Sequence, residues 1–115
     1  MTTKKITIAG REVTLAYCYD TEIAFHKYTG VSIDKFDAQN PEHVLYLILS
    51  AIEAWSKAKD DELVIKEYEL RYNAKPKELI DALTEVFILR AEWYEVPAGE
   101  PEDETDEKQY GEKNA

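Results

Sequence analysis

One cysteine, four glycines, four prolines and no long apolar run in 115 residues exclude several classes of protein at once. A lone Cys18 has no intramolecular disulfide partner, and MTTKKITIAG lacks the apolar core of a secretory signal, so the expected compartment is a reducing cytoplasm. So little glycine and proline rules out a low-complexity or collagen-like chain. The longest strongly apolar stretch, Val44 to Ile52, falls far short of the ~20 residues that cross a bilayer, so no membrane partner is expected. Basic residues are also in deficit. Fourteen Lys and Arg stand against 24 Asp and Glu, a net charge of -10, and a chain of this sign repels a polyanionic duplex, so no nucleic-acid partner is expected.

Catalytic and metal motifs are missing in the same way. The sequence holds no glycine-rich phosphate loop, GxSxG elbow, CxxC pair or HExxH. His26 and His43 lie on different expected helices with no second nitrogen at ligand spacing, so neither reads as a metal ligand and no cofactor is expected. Cys18, between Tyr17 and Tyr19 at a strand-to-helix junction, reads as a small buried filler rather than a nucleophile. Asp60, Asp61 and Glu62 are what a helix start favours, without paired catalytic carboxylates. The expectation is a protein that is not an enzyme.

What is present is a 3.6- and 2-residue patterning sufficient for one small core. Ile6 and Ile8 alternate before Gly10, and Val13 and Leu15 after it, which predicts a β-hairpin. A first helix follows from a cap at Asp20, with Ile23, Ala24 and Tyr28 at helical spacing, and stops at Gly30 in the left-handed C′ position. Ser32 then caps a short turn that folds Val31, Ile33 and Phe36 back as a hydrophobic latch. Asn40-Pro41 starts a second helix, whose Leu45, Ile48, Leu49, Ile52 and Trp55 make one stripe, while Val44, Tyr46, Leu47 and Ala51 extend the apolar surface almost all round.

Asp60 and Asp61 are expected to cap a third helix over 62–74, with Leu63, Tyr68 and Tyr72 inward and Glu67 paired to Arg71. A fourth, from Pro76, carries Leu79, Ile80, Leu83, Val86, Phe87 and Trp93 and is ended by Pro97. Between Glu95 and Ala115 eight acids face Lys108 and Lys113, so -6 of the -10 lies there; residues 96–115 are expected to be a disordered acidic tail behind a folded domain of residues 1–95. The fold class is α+β, a hairpin followed by about four helices. Eight tyrosines and two tryptophans either pack internally with their hydroxyls at the surface or supply contacts to a partner protein.

With the hairpin element Ile8, Gly10 and Glu12, the Tyr19–Phe36 region that includes "YTGVSIDKF", the apolar helix after Asn40-Pro41 and "PKELIDALTEVF" (Pro76 to Phe87), the sequence resembles the tail assembly chaperones of long-tailed bacteriophages over residues 5–90. The resemblance implies a non-catalytic role in the cytoplasm of the bacterial host: binding the aggregation-prone tape measure protein, self-associating along it, recruiting tail tube protein and leaving before the virion matures. It also implies a frameshifted longer product, for which the codons of Glu112, Lys113 and Asn114 can hold a slippery heptamer. Candidate contact residues are Tyr46, Ile52 and Trp55 on the second helix and Phe87 and Trp93 on the fourth. The alternative is a small acidic regulator or DNA mimic that occupies a basic partner surface.

Overall fold

The computed structural model describes residues 1–95, together with the backbone of two short segments, Thr105–Tyr110 and Glu112–Lys113, that pair antiparallel with each other. The expected disordered tail otherwise falls outside the described residues. Residues 1–95 form the expected α+β architecture: β1 (Thr2–Ile8), β2 (Arg11–Tyr17), α1 (Tyr19–Thr29), a 3₁₀ turn (Ile33–Lys35), α2 (Pro41–Ala58), α3 (Glu67–Asn73) and α4 (Pro76–Tyr94). Among them no helix is long and apolar enough to cross a membrane.

The hairpin pairs Ile6 with Val13 and Ile8 with Arg11 across a two-residue turn, Ala9-Gly10, with φ of 52° and 76°. Two successive positive φ values make a type I′ turn, whose twist matches the strands. Alternation points Ile6, Ile8, Val13, Leu15 and Tyr17 to one face, where β2 meets α2 and β1 meets α4. Side chains from far along the chain then pin the hairpin. The Ala9 N–H donates to Glu78 Oε1 at 3.3 Å, the Thr2 hydroxyl donates to the Leu89 carbonyl at 2.7 Å, and the Arg11 guanidinium reaches the Val64 carbonyl and Glu69 Oε2.

α1 ends at Gly30 as expected, at φ 80° with its N–H on the His26 carbonyl, but its cap lies two residues before the expected one. Cys18 holds the cap position, and Thr21 Oγ1 accepts the Cys18 N–H while donating to the Ala16 carbonyl. Asp20 sits instead inside the first turn, 3.7 Å from Lys57. Val31, Ile33 and Phe36 do fold back on the core, although backbone hydrogen bonds, and not the Ser32 side chain, close the turn between them. Asn40 caps α2 through Oδ1, which accepts the N–H groups of Glu42 and His43. Leu45, Leu47, Ile48, Leu49 and Ile52 of α2 are buried with Phe25, Val86 and Leu89.

Asp60 and Asp61 finish α2 where they were expected to open α3. Asp60 is left-handed (φ 55°), its N–H on the Lys57 carbonyl and the Asp61 N–H on the Ser56 carbonyl, the pairing of a Schellman motif. α3 begins only at Glu67, capped by Glu69 reaching back to the Lys66 N–H. Its expected inward face is also corrected: Ile65 and Leu70 are buried, whereas Tyr68 and Tyr72 point to solvent, Tyr72 at 82% exposure. The Glu67–Arg71 pair forms at 2.7 Å. On α4 the same phase error affects Ile80, which faces outward while Ala82, Val86 and Leu89 face in.

Candidate partner-binding groove

Placed on this fold, the five candidate contact residues separate. Ile52 is 1% exposed and has no surface from which to touch a partner, so the structure removes it from the set. Phe87 is half-buried, edge-on to Phe36 at 5.2 Å, and seals the turn after α1. Tyr46 is half-buried, stacked on Tyr28 at 4.7 Å; its hydroxyl donates to Glu67 and accepts from Arg71. Trp55 is half-buried with Lys59 over its ring. Trp93, in the last turn of α4, is the exposed one at 37%.

α1 and the end of α4 carry a surface that periodicity missed. α1 buries Thr21, Ala24 and Phe25, which leaves Tyr19, Ile23 and Lys27, four residues apart, along the opposite side. The end of α4 and the 3₁₀ turn wall this side into an open groove of about 490 Å³, lined by Tyr19, Ile23, His26 and Lys27 of α1, Ser32, Ile33 and Asp34, and Arg90 and Tyr94 of α4 over Glu22. Tyr19 and Tyr94 stand 69% and 56% exposed. The sequence signal was available in the apolar residues on two sides of α1, one side more than a single core takes up.

Glu22 fixes the groove's floor. Its Oε2 accepts the Tyr17 hydroxyl at 2.7 Å and the Tyr94 hydroxyl at 2.5 Å, with Arg90 Nε 3.9 Å away. One carboxylate thereby ties β2, α1 and α4 together. Burial, reinforced by the hydrogen bond to Glu22, pushes the Tyr94 phenol up to about 12, and the same two causes drive Tyr17 higher. Across α1, Tyr28 donates to Glu53; burial first, and that carboxylate second, raise its phenol well above the ordinary range.

The histidines hold separate positions. His26 lines the groove, while His43 Nδ1 accepts the Asp37 N–H at 3.0 Å with its ring edge-on to Phe25. Among the described residues, no three His, Cys, Asp or Glu side chains cluster to hold a metal ion. With Oε2 of its part-buried carboxylate taken by two phenols, and with Tyr19, Ile23 and Tyr94 exposed among its polar lining, the groove is suited to covering apolar surface. The chain matches no known family model, no curated protein and no solved structure.

Proposed function

We propose that this protein is a non-catalytic binding protein that shelters an amphipathic helix of a longer partner in the groove between α1 and α4. The observation carrying this reading is the exposure of Tyr19, Ile23 and Tyr94 around one concave surface. Aromatic side chains of this kind bring large contact area at low entropic cost, and an apolar-faced helix is the ordinary occupant of such a groove. The resemblance to phage tail assembly chaperones supplies the partner: a tape measure protein, held soluble until tail tube protein polymerises around it. Support for that partner comes from the hairpin-plus-helices architecture and from the acidic surface, which keeps a loaded complex dispersed.

Co-expression with a tape measure fragment tests the proposal. The fragment should stay soluble with the native chain and return to the pellet with Ile23→Asp, which places a charge on an exposed apolar position and leaves the core intact. A fragment equally insoluble beside both proteins would overturn the partner assignment.

A further inference from the structure

The groove has a second property besides its apolar rim. Arg90 reaches it with a third of its side chain exposed (34%), held over the Tyr94 ring at 5.2 Å. Its buried Nε lies 3.9 Å from a Glu22 oxygen that already accepts two tyrosine hydroxyls, and has no hydrogen-bond partner among the described residues. The guanidinium is thus anchored by stacking on Tyr94 and by its ion pair with Glu22, while the partly exposed end of the side chain faces the groove, and a guanidinium is built to grip a carboxylate. Lys27 and His26 stand on the same wall. Of the two acids at the groove, Glu22 is nearly covered at 12% exposure and its Oε2 is engaged, which leaves Asp34 as the exposed one. In a chain of net charge -10, two cations here stand against two acids, one of them already engaged by phenols, beside an aromatic surface.

Resting on the groove reading above, we infer that the α1–α4 groove selects partner helices carrying an acidic residue at the edge of their apolar face, with Arg90, assisted by Lys27, receiving that carboxylate. The apolar rim supplies the contact area, and the cation sets which helix is accepted and in which direction it lies. Placing the opposite charge there sets Lys27 and Arg90 against a like charge in a partly covered site, which is how an interface rejects a wrong partner.

The test uses three synthetic amphipathic peptides of about 18 residues, five helical turns, identical except for Glu, Gln or Lys at one position bordering a leucine stripe. Their affinities for the full chain are measured by fluorescence anisotropy. The Glu peptide should bind roughly two- to fivefold tighter than the Gln peptide, as one charge-assisted contact at a partly exposed site gives, and the Lys peptide weakest. Arg90→Met should collapse that order, and Arg90→Lys should keep it in part. If Arg90→Met fails to fold, Arg90→Lys together with Lys27→Met carries the comparison, the latter narrowing the Glu-to-Lys gap.

Equal affinities of the Glu and Lys peptides would overturn the inference and leave the groove reading intact. Absence of binding by all three would overturn the groove reading itself. A Glu preference that emerges only after Glu102→Gln, Asp103→Asn and Glu104→Gln in the full chain would mean that the protein's own acidic segment occupies Arg90, and would overturn the assignment to a partner.

Discussion

Ala9 and Asp60 are the two residues other than glycine, among those described, that sit at positive φ. Each has a structural reason, the first corner of a type I′ turn and the left-handed end of α2. Each also carries a backbone cost that a side chain with Cβ pays in that region, about 1 kcal/mol for an ordinary residue and less for Asp. Ala9→Asn should stabilise the protein by about 0.5–1 kcal/mol, since Asn-Gly is the preferred sequence for this turn, and Asp60→Gly by a similar or smaller amount; urea denaturation of each variant measures it. The tyrosines on Glu22 make a prediction of opposite character. A phenol whose folded value lies above its unfolded one contributes stability that is complete below about pH 10 and is lost as pH rises through the folded value. Absorbance titration at alkaline pH should show Tyr94 ionising near 12, with Tyr17 and Tyr28 later still, and unfolding should accompany that late group. Tyr94→Phe should remove one late phenol and leave the earlier ones unchanged.

At the scale of elements, what was legible followed from signals that agree with one another. Gly10 with alternating Ile6, Ile8, Val13 and Leu15 gave the hairpin. Asn40 with Pro41 gave the start of α2, and Asn40→Ala should cost about 1 kcal/mol in thermal or urea unfolding because it leaves two N–H groups of the first turn without their acceptor. Leu63 packs on the core as expected, but the face of α3 differs because the same stretch offers two apolar sets, Tyr68 and Tyr72 or Ile65 and Leu70. A helix of seven residues has little intrinsic stability, so the set that reaches the core decides, and the shorter aliphatic side chains fit there while the phenols remain in water. The same ambiguity hid the groove. A stripe such as Leu45 to Trp55 reports an apolar face without reporting whether the chain's own core or another protein covers it, so Ile52 was grouped with contact residues although β2 and α4 already bury it. Trp93 is exposed because it lies past the last core position, Leu89. Tyr19 and Ile23 were missed because they lie on the face of α1 turned away from Phe25.

The whole molecule sets the balance between its charge and its groove. Most of the net charge lies in residues 95–115, whereas the groove's own lining balances two cations against two acids, so a partner held by the groove should be lost slowly as salt rises. Between low and high ionic strength its affinity should fall by about fivefold at most, the weight of one partly exposed ion pair. An acidic mimic on a basic surface would instead lose its binding steeply over the same range, and anisotropy at several salt concentrations separates the two. The hydrogen bond from Thr2 to Leu89 has a different consequence, one of timing. β1 packs on α4, which follows it in the chain, so the inner face of the hairpin waits for a helix that leaves the ribosome about seventy residues later. Until then Ile6 and Ile8 have no α4 to cover them, and a nascent chain stalled before Pro76 is itself a client for the general folding machinery of the cell.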